Sequence, residues 1–380
     1  MRLLSTWGIF ASLGFILFLP FPYFLLGFWT DTILYLFNPI CEGILGYLGP
    51  EMNYFGIESD SAGMWIWLSI ILIAAGLLSV LFGNRINYVK IKNWHYVIVA
   101  YFLSFILIKY GLDKVLLNQF YFPEPNILYT RVGHLDKSLL YWSSMGSSPV
   151  YSIFSGIAEI IPGILLLFRR TRAFGGFIAT LVFANVFAIN VGFNVDVKLL
   201  SFALLCLSVY LAYPFVLLIK SIILSPNQFT RLPLKNRVVE DYKWYSGMKV
   251  LIIFFFMIEF IGPVMLKSEN PNLEELTGTY IVEVYGDDFT QVPKYIHIHS
   301  KGYLIVEYYN DFMEDYSMKI NSSQIQLERD NKLIDLNYIK EDYVIVFSRN
   351  DSQSSLFFRG RKIDNKLLPL SQNQFQWVAY

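Results

Sequence analysis

The stretch YSIFSGIAEIIPGILLLFRRTR, residues 151–172, has the apolar length of a membrane-spanning helix, yet it carries a carboxylate, Glu159, near its middle. A charged side chain at a bilayer centre costs roughly 3 kcal/mol on insertion scales, so such an acid needs a cation, a proton or a task. On a helix, Ser148, Ser152, Ser155 and Glu159 recur at three- or four-residue spacing and share one face. Gly156 and Gly163 give a neighbouring helix room to approach that segment closely. Tyr110 and Lys114 near the end of one apolar run, Asn190 in another and Lys198 at the start of a third are the polar groups placed to meet Glu159. Two readings follow. One is a polar pocket opening to the outer face, which binds a small polar head group or handles a proton. The other is an interhelical clamp that fixes packing and does no chemistry. The sequence leaves both open.

Other groups carry weaker signals. Glu259 is a second acid, near the middle of the last apolar run, and a single acid can stay protonated there. His297 and His299 fall on the same face of one predicted strand, but no third ligand is spaced to complete a zinc site. Arg169, Arg170 and Arg172 could hold anionic lipid, although control of topology explains them as well. Asn321-Ser322-Ser323 and Asn350-Asp351-Ser352 match the glycosylation triplet, which chance also supplies in a chain of this length. There is no glycine-rich phosphate loop and no nucleophile beside a base at a recognisable spacing.

The elements that must position these groups are membrane helices. Of 380 residues, 55% are hydrophobic and only 16% charged, and the mean hydropathy is +0.44, too apolar for an ordinary soluble protein. Runs long enough to cross roughly 30 Å of hydrocarbon occur near 8–28, 64–83, 95–116, 149–168, 174–192, 198–219 and 247–266, about seven spans. The segment 32–49 is interrupted by Asn38, Pro39 and Glu42 and fits an interfacial or re-entrant helix better. Lys and Arg concentrate in alternate loops, around 85–92, 169–172 and 220–243. The positive-inside rule makes those loops cytoplasmic, with the N-terminus inside and everything after the last span outside. An inner (plasma) membrane location, with membrane lipids as neighbours, is the expectation. Two distant cysteines, Cys41 and Cys206, suggest neither a disulfide nor a thiolate metal site. No basic tract with interleaved aromatics points to nucleic acid.

From about residue 275 the periodicity changes to two, in GTYIVEVYG, KYIHIHS, GYLIVEYYND, SQIQLE, YVIVFS and SLFFRGRKI, separated by turn signals such as Asn310-Asp311 and Asp330-Asn331. About eight short strands predict an antiparallel barrel or sandwich of lipocalin-like character. Charge divides in the same way. Residues 274–380 hold 16 acidic against 11 basic side chains, leaving 14 acidic and 19 basic for the rest. The expected organisation is a transmembrane helical domain over 1–270 and an extracytoplasmic β-domain over 275–380.

KYGLDKVLLNQF, through Tyr110, Gly111, Lys114, Gln119 and Phe120, resembles a pattern of the DoxX-like integral membrane proteins, in particular a bacterial subgroup with a β-rich C-terminal extension. Gly146, Ser147, Tyr151, Phe154, Gly156, Glu159, Gly163, Arg169, Arg170 and Thr171 match it more strongly. In NVGFNVDVKLLS, Asn190, Val195, Val197 and Lys198 fit, whereas Phe193, Asn194 and Asp196 replace a tyrosine, an aspartate and a proline of the pattern. The tail FQWVAY is similar to a truncated aromatic signature. The resemblance implies a four-helix membrane core over about 95–220 and adds Gln119 to the candidate ligand-binding residues Tyr110, Lys114, Glu159, Asn190 and Lys198. It also implies an accessory or redox-associated subunit with a protein partner, in which the polar cluster could hydrogen-bond a quinone head group. A quinone-linked oxidoreductase and a small-molecule or lipid carrier are the alternatives.

Overall fold

A computed structural model describes residues 2–49, 56–57, 59–224, 253–262, 271–289, 291–321, 324–350, 355–365 and 368–371. The basic loop after residue 224, the tail FQWVAY and the serine ends of both glycosylation triplets lie outside the described residues. The chain forms two compact units. One comprises residues 1–119 and 150–267, the other residues 120–149 and 268–380. Residues 120–149, expected as a loop between spans, thus group with the β-domain.

The first unit is helical: α1 (Arg2–Phe18), α2 (Gly27–Leu48), α3 (Ala62–Phe82), α4 (Tyr88–Val115), α7 (Pro149–Leu167), α8 (Arg172–Gly192), α9 (Lys198–Leu224) and α10 (Ile253–Gly262). Among the described residues, five helices, α3, α4, α7, α8 and α9, are long and apolar enough to cross a membrane, while α1 and α10 are shorter apolar helices. The expected span over 8–28 stops at Phe18, because Pro20 and Pro22 remove backbone donors and bar the helical region to the residues before them. The segment 32–49, expected as an interfacial or re-entrant helix, is part of one unbroken helix, α2, with Pro39 inside it, and α2 is not among the five. A proline removes one backbone hydrogen bond and bends a helix without having to end it. Helix starts follow their side chains: Ser61 accepts from the Met64 amide and Asn87 from the Lys90 amide. The central helix is α4. Of its apolar window 67% is buried, against 22–33% for the other four. Leu77, Leu81, Phe154 and Val209 remain exposed on the neighbouring helices, as a lipid-facing surface requires.

The second unit holds a closed antiparallel barrel of eight strands in sequence order: β1 (Gly278–Tyr285), β2 (Pro293–Ile298), β3 (Tyr303–Tyr308), β4 (Met313–Asn321), β5 (Gln324–Arg329), β6 (Lys332–Glu341), β7 (Val344–Arg349) and β8 (Leu356–Lys362). β1 closes the barrel against β8, with a register shift between Val282 and Val284. The β5–β6 hairpin turns on Asp330 and Asn331, both at positive φ (49° and 61°), which is the conformation a two-residue hairpin needs and which Asp and Asn tolerate best. An eight-stranded barrel is just wide enough for side chains to fill it. Tyr280, Leu304, Tyr308, Leu327, Phe347 and Phe358 do so, each at most 1% exposed. The short helix α11 (Pro271–Leu276) precedes β1, and the Tyr280 hydroxyl donates to its Leu276 carbonyl at 2.8 Å.

Residues 120–149 supply α5 (Pro125–Tyr129), a 3₁₀ turn at Val132–His134 and α6 (Lys137–Gly146), which Asp136 caps by accepting from the Leu139 amide. Of these, α5 packs against β1 and β2. The Tyr129 ring lies 5.5 Å from that of Tyr295 and its hydroxyl donates to Asn365 at 3.1 Å. Glu124 accepts from Ser300 at 3.0 Å, and the Lys301 ammonium sits over the Tyr121 ring at 3.6 Å.

Candidate functional site

Glu159 meets Lys114. The ammonium donates to Glu159 Oε2 at 2.7 Å, with 8% and 7% of the two side chains exposed. The backbones on either side of the pair make this possible. A Cβ on Gly111 would stand 2.7 Å from the Gly156 carbonyl oxygen, and one on Gly156 would stand 2.5 Å from that of Gly111. No other residue allows α4 and α7 to cross so closely. One turn deeper, Ser104 donates to the Gly163 carbonyl at 2.7 Å. The expected polar face of α7 is present in part: Ser152 and Glu159 are buried, Ser155 is half-buried, and Ser148 precedes the helix. Tyr110, whose ring centroid is 5.7 Å from the Lys114 ammonium, completes the cluster.

At 2.7 Å and an effective dielectric of about 20, the attraction in this pair is about 6 kcal/mol. Removing the two ions from water costs several kcal/mol each, so the pair adds little net stability. Breaking it would leave one buried charge alone. The geometry therefore specifies which helix faces which more than it strengthens the fold.

Lys198 lies in other surroundings. Lys198 is matched by Asp60 at 3.5 Å and by Asp196 at 3.7 Å. Asp60 also accepts from the backbone amides of Lys198 (2.7 Å) and Leu199 (2.9 Å), capping the start of α9. Asn190 is buried, and its Nδ2 has no hydrogen-bond partner among the described residues. Gln119 is half-buried, and its Oε1 has no hydrogen-bond partner among the described residues.

Glu259 is fully buried, and its two oxygens accept from the amides of Leu25 (2.7 Å) and Phe24 (2.8 Å). Those amides belong to the non-helical link between α1 and α2, where no helix ladder can take them. The acid is thus the acceptor that the Pro20–Pro22 break demands, a requirement the sequence states without naming who meets it.

His297 and His299 take different partners. Among the described residues no group of three or more His, Cys, Asp or Glu is placed to hold an ion. His297, fully buried on the outer side of β2, has Nε2 3.1 Å from Glu307 and Nδ1 3.0 Å from the Thr279 hydroxyl. Burial pulls the imidazole below its ordinary range by more than its bond to Glu307 raises it. Burial raises the Glu307 carboxyl, but hydrogen bonds from His297 and from Lys294 (3.1 Å) outweigh that and hold it below the usual range. A neutral ring donating through Nε2 to a charged carboxylate, and accepting from Thr279 at Nδ1, satisfies every partner. His299, past the end of β2, has an unpartnered Nε2, and its pKa is pushed down to about 4, by burial first and by the neighbouring His297 and Lys301 second.

The sequence also leaves His95 unassigned. Its Nε2 lies 2.6 Å from Ser12 Oγ and its Nδ1 3.1 Å from the Tyr210 hydroxyl. The three residues come from α4, α1 and α9, so no local spacing announces them.

A curated relative, the Uncharacterized protein YwoB of Bacillus subtilis (strain 168), is 34% identical over 112 residues, which are 30% of this chain and 71% of the relative. The chain belongs to the YwoB family. No family model and no solved structure matches the chain.

Proposed function

We propose that this protein is a membrane-embedded accessory subunit of DoxX-like architecture, whose extracytoplasmic barrel engages a protein partner and whose Lys114–Glu159 pair is a packing clamp. The carrying observation is that this buried pair meets at 2.7 Å in a glycine-lined helix crossing. The grouping of α4, α7, α8 and α9 around the central α4 is consistent with a four-helix core. An inner-membrane location with the N-terminus inside follows from the basic loops of the sequence. The filled interior of the barrel favours recognition through its outer surface over ligand capture inside it.

A redox role would place a quinone head group at the polar cluster. The charged residues there do not favour one: Lys114 already donates to Glu159, and Lys198 is matched by Asp60. No step through a quinone is derived.

The test is isolation of tagged wild-type and Glu159→Gln protein in a mild detergent that keeps native lipid, followed by mass spectrometry of co-purifying proteins and small molecules. An accessory subunit keeps the same protein partner in both forms. A small molecule held by the wild type and lost from the variant would make Glu159 a ligand residue and overturn the clamp.

A further inference from the structure

A cavity of about 480 Å³ lies between α1, α3, α4 and α9, a size within the ~300–1,000 Å³ range of small-molecule sites. Most of its wall is apolar, with Ile9, Phe15, Leu68, Leu72 and Leu207 among the lining residues. Gly8 opens the floor, since a Cβ there would meet nothing within 4 Å.

One wall is polar but already satisfied. Ser12 Oγ can donate to the Gly8 carbonyl at 2.8 Å or to that of Ile9 at 3.0 Å. With the serine proton used there, His95 donates through Nε2 to Ser12, and Tyr210 donates to His95 Nδ1. This assignment commits every proton of the chain and leaves none for a ligand. The unmatched group lies one turn away on the same face of α4. Lys92 lines the cavity, is exposed, and makes no ion pair among the described residues. Tyr88 and Ser5 line the cavity with it and can both donate a hydrogen bond.

We propose that this cavity binds an amphiphile with an acyl chain and an anionic head, the head at Lys92 and Tyr88 and the chain along the Gly8 floor towards Phe15. Charge and shape agree on this occupant: at one end a cation with no anion beside it among the described residues, an apolar volume beyond it, and between them a wall with no donor to spare. A carboxylate and a phosphate head share this chemistry. The site stands apart from the Lys114–Glu159 clamp.

The test uses the full chain in phosphatidylcholine nanodiscs with a palmitic acid probe carrying a diazirine at the chain end, labelled positions being mapped by mass spectrometry. Labelling is expected at the cavity segments around Leu68–Leu72 and Ala203–Leu207. Exposed Ile73 and Leu77, on α3, report ordinary lipid contact. Gly8→Leu puts a side chain into open space, and should bring cavity labelling down to that background. Lys92→Gln should weaken it about fivefold, the order of an exposed ion pair. Displacement by free palmitate but not phosphatidic acid identifies a fatty acid as the occupant, and the reverse a phospholipid. Unchanged cavity labelling in Gly8→Leu overturns the proposal. So does equal labelling of the wild type by the uncharged methyl ester of the probe, a comparison that holds even if Gly8→Leu fails to fold.

Discussion

The two units handle buried charge differently. In the helical unit the buried acids take partners close at hand: Glu159 takes Lys114 and Glu259 takes two backbone amides, while half-buried Asp60 takes Lys198 and the first turn of α9. On the outside of the barrel, Glu307 is shared between His297 and Lys294, Lys294 reaches on to Asp311, and Asp311 meets Arg131, whose side chain is 75% exposed. Hydrocarbon offers no water to finish an incomplete arrangement, so polar groups there close locally. The barrel network ends in solvent, which can supply a proton or a hydrogen bond. Substitution should therefore hurt most among the helices, and pH should act on the barrel.

The sharpest way to break this contrast is at the clamp. Glu159→Leu or Lys114→Met alone should cost about 3–5 kcal/mol, because each leaves an uncompensated buried charge. The double substitution should recover most of that loss in a detergent melting experiment. A double variant as unstable as either single one would mean that the pair is not a closed unit. Next in size is acid sensitivity of the barrel. A histidine whose folded pKa lies below its unfolded value of about 6.5 binds fewer protons folded than unfolded. Its contribution is intact above that pH and falls by about 1.4 kcal/mol per pH unit as pH drops. For His299 the fall should continue to about pH 4. Near-ultraviolet circular dichroism of the full chain between pH 7 and 4 measures it, and His299→Gln should flatten the curve; an unchanged slope refutes the assignment. Gly156→Ala should cost about 1–3 kcal/mol, as overpacking does, since its Cβ would press on the Gly111 carbonyl. Arg131→Ala should change stability by less than about 0.5 kcal/mol, because its 3.7 Å contact with Asp311 lies at the solvent end of the network.

Legibility followed the range of the determining contact. The polar face of α7 and the hairpin at Asp330-Asn331 rest on neighbours three or four residues apart or fewer, and their sequence patterns state them. Six of the strands were visible as alternating runs. β4, MEDYSMKIN, and β6, KLIDLNYIKE, carry more charge on their outer faces and show the alternation less clearly. Within the candidate site, Lys114 and Tyr110 were recognisable as partners of Glu159 by depth alone. Lys198 shares that depth, but its partner Asp60 is 138 residues away in sequence, and no periodicity encodes such a choice. Glu259 was visible as a costly acid, whereas its acceptor role depends on where α1 stops, and a window of apolar residues that runs on past Pro20 conceals that point.

The barrel unit is assembled from two stretches of chain, residues 120–149 and 268–380, with α7, α8 and α9 lying between them. A domain that faces water cannot straddle a bilayer, so both stretches occupy one side. Three crossings by α7, α8 and α9 would return the chain on the wrong side. Parity then asks for an odd number of further crossings before Pro271, and among the described residues α10 is the apolar helix in that interval. During synthesis, α5 emerges well before the strands it packs on, β1 and β2. Closure of the barrel beside α5 would then double as a checkpoint, because it joins two stretches of one domain that are made far apart in time.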